Sequence, residues 1–327
     1  MKTNPVCEIL NIQKPVIQGP LSWLTNANLV ASVSNAGGLG VLGPSAGLNA
    51  QTAASSPKDA ADKMREEIRK TKALTSKPFG VNIIPRPKDD IWTEPLLDVL
   101  KEEGVKVVVY TGYGEDVVIP SLFEWLKKED IKIIYRDINP SPKNTILAES
   151  AGADIIVATG FDEGGTLPAK ALGTFSIVPL IADSLKNIPL LAAGGITDRR
   201  SAKAAHALGA SGVFAGSVFI SAKESPVPLS IKEKIVASNG LDLLLFRTMP
   251  DYYRSLPGEL AEKLLAMDKA GASNEAIGEA MGGTLGLRIG MLEDNSKKGY
   301  ISLGTGIGSI KSIKSVAEIV DELSIKE

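Results

Sequence analysis

Short apolar runs recur through the first 220 residues, and most are separated by segments with helical spacing. Val16-Ile17-Gln18-Gly19 is an apolar run ending in glycine. Thr25 is placed to cap a helix over about 26–35, which Gly37-Gly38 ends. Leu39 to Gly43 reads as a second strand. Ser56-Pro57 joins a capping side chain to a proline at the first helical position, so a helix is expected from there to about Lys72. Further strands are expected at 79–84, 105–110, 132–135, 154–158, 189–192 and 212–215. Helices are expected at about 94–103, 121–128 and 144–151, and from about Arg199. Strand-helix alternation implies right-handed parallel crossovers. Eight such units predict an α/β protein of the (β/α)8 TIM-barrel class.

The alternation stops near Ser225-Pro226-Val227-Pro228. From there to about Gly299 the chain reads as helices with no clear strand, best over 255–270 and 273–281. The expected organisation is a barrel from 1–225 and 300–327, with a helical cap or lid subdomain at 226–299 inserted late. The tail, about 312–323, has the pattern of one more amphipathic helix. Arg247, Tyr252 and Tyr253 are the cap residues expected to face the barrel mouth, where barrels of this class carry their active sites.

Composition narrows the chemistry. Lys plus Arg is 36 and Asp plus Glu is 38, a formal charge of −2, which argues against a nucleic-acid binder. One Cys excludes an internal disulfide framework and a cysteine-cluster zinc site, and one His excludes a multi-histidine metal centre. No apolar run reaches the roughly 18 residues of a membrane span. The first residues lack the apolar core of a signal peptide, so a cytoplasmic location is expected. The expected partner is a small-molecule substrate, with a homodimer possible. The 32 glycines cluster at the ends of apolar runs, as in proteins whose loops line a ligand with backbone.

Gly38-Leu39-Gly40-Val41-Leu42-Gly43 matches the dinucleotide fingerprint, but a helix precedes it and its centre reads as strand. The required context is reversed, so it is read as a helix end followed by a glycine-rich strand. Four other loops are informative. Ala192-Ala193-Gly194-Gly195-Ile196-Thr197-Asp198 follows a strand, and its two glycines let backbone N–H groups approach an anion. Ala215-Gly216-Ser217 follows the next strand. In such barrels the loops after strands seven and eight often bind phosphate at a helix N-terminus. Gln18-Gly19-Pro20-Leu21 ends the first strand. Asn82, late in the third, has an amide suited to the edge of a flat heterocycle or, equally, to a turn.

These residues carry a family resemblance. The chain resembles the flavin-dependent nitronate monooxygenases, a family that includes FMN-dependent enoyl-acyl-carrier-protein reductases and some NAD(P)H:quinone reductases. The matching stretches are Pro15 to Gly19, Ser34 to Gly40, Lys77 to Ile83, Ala151 to Asp154, Ala192 to Asp198, and Leu208-Gly209-Ala210 with Ala215-Gly216-Ser217. Gly304-Thr305-Gly306 matches a late glycine-rich loop. The resemblance implies FMN, with its phosphate on Gly194, Gly195, Gly216 and Ser217. It implies Gly19, Pro20 and Leu21 beside the ring, Asn82 bonded to it, Ala215 and Gly165 in close approach, and Gly304 and Thr305 closing the phosphate end. The expected electron donor is a substrate or NAD(P)H.

The match fails at Thr159-Gly160-Phe161-Asp162-Glu163-Gly164-Gly165-Thr166. The family has its proposed catalytic His where Thr166 stands, and usually Glu or Gln at Thr159, a position expected at the cofactor. His206 lies in a helical stretch, with an ordinary helix-surface role expected. Thr166, Asp162 and Glu163 are therefore the catalytic candidates, the acids offering a carboxylate that Thr cannot. Arg136, at the end of the fifth strand, would suit an anionic group of flavin or substrate or, equally, a surface salt bridge. Trp23, Trp92 and Tyr113 are candidates for the mouth or, equally, for core or rim packing, and Cys7 for a minor core or surface role. The expected activity is FMN-dependent oxidation of a nitronate or NAD(P)H through flavin N5. The rivals are an NAD(P)H-dependent enoyl-thioester or quinone reductase, a flavin binder without turnover, and a phosphate-sugar isomerase needing no flavin.

Overall fold

The computed structural model describes residues 4–88, 90–114 and 117–325. Its strands are β1 (Val16–Gln18), β2 (Gly40–Leu42), β3 (Phe79–Ile83), β4 (Val107–Gly112), β5 (Lys132–Asp137), β6 (Ile155–Thr159), β7 (Gly165–Leu167), β8 (Leu190–Ala193), β9 (Gly212–Ala215), β10 (Leu244–Arg247) and β11 (Tyr252–Ser255). Eight of them form one parallel sheet in the order β1-β9-β8-β6-β5-β4-β3-β2. A parallel bridge between Ile17 and Leu39 joins its two edges, with Gln18 N donating to Leu39 O (3.0 Å) and Leu39 N to Val16 O (2.9 Å). The sheet is thus the expected (β/α)8 barrel, and all eight strand positions read from the sequence are occupied.

Side-chain alternation sorts the barrel into two cores. Residues such as Val81, Val108, Ile133, Ile156 and Val213 point outward into the layer between strands and helices. Ile17, Leu39, Val41, Val107, Val109, Ile134, Ile155, Val157, Leu191 and Phe214 point inward. The inner set also packs against Val6, Cys7, Leu10 and Ile12. These belong to or follow a helix at Pro5–Leu10 that the hydrophobic pattern did not predict and that stoppers the N-terminal end of the barrel. Asn4 caps this helix through its side chain and donates to Ser211 O (2.7 Å). Burial at this end raises the Cys7 thiol pKa.

Two local expectations change. Asn26, not Thr25, caps the helix Ala27–Asn35. Thr25 instead holds the turn after β2, accepting from Gly43 N at 2.9 Å. The late segment is not helical throughout. β10 and β11 form an antiparallel pair, and β11 also pairs with β7, the strand inside the loop after β6. Phe246, Tyr253, Leu260, Leu264, Ile277, Met281 and Tyr300 make a separate small core over this sheet. Ile231 and Ile235, on the helix Leu229–Ala237, belong to the barrel core instead. Among the described residues no helix is long and apolar enough to cross a membrane.

Candidate active site

The inward positions change character at the C-terminal ends of the strands. Two residues beyond Val109, Ile134 and Val157 stand Thr111, Arg136 and Thr159, and two beyond Gly80 stands Asn82. These residues, with Gly19, Ala193 and Phe214, mark where the barrel interior stops being packed. Above them lies a cavity of ≈ 810 Å³. Its walls come from the strand-end loops and from the late segment, including Met249, Tyr253, Met281, Leu287 and Tyr300.

Of the residues singled out from the sequence, Gly19, Pro20, Leu21, Asn82, Arg136, Glu163, Gly165, Thr166, Gly194, Gly195, Ala215, Gly216, Ser217 and Gly304 all line this cavity. Thr159, Asp162 and Thr305 do not. Asp162 is committed elsewhere: its carboxylate accepts from Thr174 N (2.7 Å), Thr174 Oγ1 (3.1 Å) and Thr305 Oγ1 (3.2 Å). It joins three loops and is a poor candidate for a base. Thr305 accordingly turns its hydroxyl to Asp162 and not toward an anion. Thr159 is buried, and among the described residues its Oγ1 has no hydrogen-bond partner. Tyr113 and Tyr253 line the cavity as expected. Trp92 is exposed, whereas Trp23 is buried under the Arg288 guanidinium. Arg247 pairs with Asp268 at the surface, and Tyr252 packs edge-on against Phe161. His206 sits in the last turn of the helix Arg199–Ala207, outside the lining.

The glycine loops converge. Gly194 and Gly195 both adopt left-handed backbone (φ 99° and 70°), a conformation that aims successive N–H groups to one side. A Cβ on Gly306 would collide with Gly195 O, so the turn Thr305–Ser309 lies directly on this loop. Thr197 Oγ1 donates to Gly306 O (2.9 Å), and Gly304 N donates to Ser217 Oγ (2.9 Å). The Ser217 hydroxyl thus accepts from the protein and keeps its own hydrogen to donate. One element of the expected anion site differs. The helix Arg199–Ala207 is capped by its own Asp198, so its N-terminus is already satisfied. The backbone turns provide the cradle instead. At Gly216 a Cβ would meet only Leu21 Cδ2, at 3.4 Å, so the space before it is open.

Asn82 Nδ2 donates to Val109 O and Thr111 Oγ1, both at 2.8 Å. Because a carbonyl only accepts, the amide orientation is fixed, and Oδ1 is left as the acceptor for the cavity. Thr111 was not foreseen, though strand alternation applied to β4 places it beside Asn82. A neutral backbone cradle with a free hydroxyl, an oriented amide oxygen and the turn Gly19-Pro20-Leu21 together fit a flat heterocycle carrying a phosphate.

The charges gather around the loop after β6. Arg136 Nη2 bonds Glu163 Oε2 at 2.5 Å. Arg254, buried on β11, donates from Nη1 to Glu163 O (2.5 Å) and Phe161 O (2.9 Å). Among the described residues Glu163 Oε1 is buried without a partner. Burial pushes the Glu163 carboxyl up to about 7, against the pull of Arg136 and Arg254. Burial also pushes the Tyr253 hydroxyl up to about 12. Thr166 lies directly across from Tyr253 in the β7–β11 register.

The fold is a β/α barrel whose glycine loops after its last two strands border the cavity, and the family to which the chain belongs makes it a flavin-dependent oxidoreductase. The family model for nitronate monooxygenase matches residues 3–326, and the chain belongs to that family. A probable nitronate monooxygenase from Staphylococcus haemolyticus is 32% identical over 280 residues, 74% of each chain. A (3aS,4S,5R,7aS)-5-hydroxy-7a-methyl-1-oxo-octahydro-1H-indene-4-carboxyl-CoA dehydrogenase from Mycobacterium tuberculosis is 32% identical over 81% of this chain and 69% of its own. Among solved structures, FabK from Thermotoga maritima superposes with a TM-score of 0.84 at 32% identity, covering 99% of this chain and 95% of that one.

Proposed function

We propose that the cavity binds FMN and that the protein draws electrons chiefly from NAD(P)H, with nitronate oxidation a weak activity. The observation that carries this reading is Thr166 on the cavity wall where the family has its base. When bound, FMN supplies the two-electron redox chemistry; the chain binds, orients and keeps water away. The backbone of Gly194, Gly195 and Gly216 and the Ser217 hydroxyl hold the phosphate. Asn82 Oδ1 accepts from a ring N–H, and Gly19, Pro20 and Leu21 border the ring. Residues 226–299 act as the cap, with Met249, Met281 and Leu287 forming an apolar wall over the substrate. Thr166 donates a hydrogen bond to a substrate oxygen but cannot hold a proton taken from carbon near neutral pH. Hydride donation by NAD(P)H needs no such base.

The test is anaerobic mixing of FMN-loaded protein with NADH, NADPH and a nitronate, followed by the visible spectrum. NADH or NADPH should bleach the flavin, and the nitronate kcat/KM should stay below about 10⁴ M⁻¹s⁻¹. Thr166→His should raise the nitronate rate by about 10²- to 10⁴-fold, the usual worth of a general base. A wild-type nitronate kcat/KM at or above about 10⁴ M⁻¹s⁻¹ would overturn the reading, as would failure to retain FMN after desalting. Reoxidation by an enoyl thioester or a quinone, compared with O₂, identifies the acceptor.

A further inference from the structure

We propose that Arg136 and Glu163 form a proton-coupled anion site in the cavity wall: a planar oxyanion group of the substrate takes Arg136 from the Glu163 carboxylate, and Glu163 takes up a proton from solvent as it does so. The inference deepens the reading above by naming the kind of group the pocket accepts and the condition under which it does.

Three observations place the site. Arg136 follows Ile134 on the inward face of β5, so its side chain rises from the barrel interior into the cavity. Its Nη2 is bonded to a carboxylate that also lines the cavity, so the pair forms part of the cavity wall. The Glu163 main chain is held independently, because Arg254 grips the carbonyls of Phe161 and Glu163. The side chain can therefore release Arg136 without moving the loop.

The carboxylate is poorly supported as an anion. Oε2 has the ion pair, but Oε1 is buried with no donor among the described residues. A half-satisfied buried carboxylate retains much of its desolvation cost. The charged groups facing it are Arg136 from β5 and Arg254 from β11, with Asp162 beside it in the loop acting on Arg254. The two guanidiniums lower the carboxyl pKa, yet burial wins and leaves it near neutrality. An incoming anion that engages Arg136 removes the larger of those two supports and adds a like charge. Both changes favour the protonated acid. No bond to carbon forms or breaks; one proton enters per anion bound.

The sign follows from linkage. Below about pH 7 Glu163 is already protonated, and the anion meets an unpaired Arg136. Above it the anion competes with the carboxylate, so its apparent Kd rises about tenfold per pH unit. Nitrate, a planar oxyanion, is the probe. It is titrated calorimetrically between pH 6 and 9 into flavin-free and FMN-loaded protein, in buffers of different ionisation enthalpy. Wild type should show the rise in Kd above pH 7 and, well above that pH, uptake of one proton per nitrate. Glu163→Gln should bind nitrate with no pH slope and no proton uptake, and Arg136→Met should bind it at least tenfold more weakly at pH 6. No nitrate binding at pH 6, a wild-type Kd that is flat with pH, or a slope that persists in Glu163→Gln overturns the proposal. Nitrate lodged on the glycine loops would be blind to Glu163 and counts against it. The flavin-free arm keeps the two readings apart: loss of FMN binding would sink the cofactor assignment, while the nitrate slope alone decides the pair.

Discussion

The two ends of the barrel interior are built from the same strands and follow opposite rules. At the N-terminal end Val107, Ile155 and Leu191 belong to one buried apolar cluster with Val6, Cys7 and Leu10. A few residues further along, the inward positions become Thr111, Arg136 and Thr159. The first end needs only volume and apolarity, so its stability is that of packing. The second needs particular donors and acceptors in particular places, and several have no hydrogen-bond partner among the described residues. Stability and ligand chemistry are separated here by about two strand residues, so substitutions at the two ends should report on different quantities.

The largest effect should come at the loop end. Gly216 has an ordinary negative φ (−119°) and open space in front of it. Gly216→Asp should therefore fold normally while placing a carboxylate where the FMN phosphate is proposed to lie. Two like charges at about 4 Å interact by about 4 kcal/mol at an effective dielectric of 20, so FMN affinity should fall by about a thousandfold in a fluorescence titration. The flavin-free melting temperature should hold.

Leu10→Ala tests the other end. It opens a cavity in a fully packed contact and should cost about 3 kcal/mol in denaturant unfolding. FMN affinity should not change. Loss of FMN binding in this variant would break the separation of the two ends.

Glu163 sharpens the comparison, because it puts a stability cost at the functional end. Its carboxyl rises from an ordinary 4.5 to about 7 on folding. The native state then binds more protons than the unfolded chain between those values, so stability falls as pH rises through that window. The decline is about 1.4 kcal/mol per pH unit, up to about 3 kcal/mol in all. Glu163→Gln should lack that decline, so the difference between variant and wild type should grow from pH 4.5 to 7 in parallel unfolding curves.

The smallest effect belongs to Asn4, the cap of the stoppering helix. Asn4→Ala should cost about 1 kcal/mol and leave the cavity untouched. Unfolding curves and an FMN titration check both parts.

Much of this was legible in the sequence, and the failures have physical causes. The barrel strands were readable because each is a short apolar run closed by glycine or a capping residue. The helix at Pro5–Leu10 carried the same cap-then-proline signal as Ser56-Pro57, in Asn4-Pro5, but six residues show little periodicity. β10 and β11 are Leu244-Leu245-Phe246-Arg247 and Tyr252-Tyr253-Arg254-Ser255, a hairpin whose Pro250-Asp251 turn was lost among strong helical patterns on its C-terminal side. At the site, the glycines and Asn82 were readable because turn and strand-end chemistry is local. The division of labour between Asp162 and Glu163 was not. It is decided by Thr174, Thr305, Arg136 and Arg254, and Thr305 lies 143 residues away in sequence from Asp162.

The pairing of β7 with β11 also bears on how such proteins can be re-engineered. Main-chain hydrogen bonds knit the loop that carries Glu163, Gly165 and Thr166 to the hairpin of the late segment, in the register Gly165–Arg254, Thr166–Tyr253 and Leu167–Tyr252. The segment is therefore not a detachable module. A chimera that imports a relative's residues across 244–300 but keeps this protein's 161–167 would join a foreign hairpin to a loop shaped for Arg254. Exchange of substrate range by grafting should succeed only when both pieces travel together, as one discontinuous cassette.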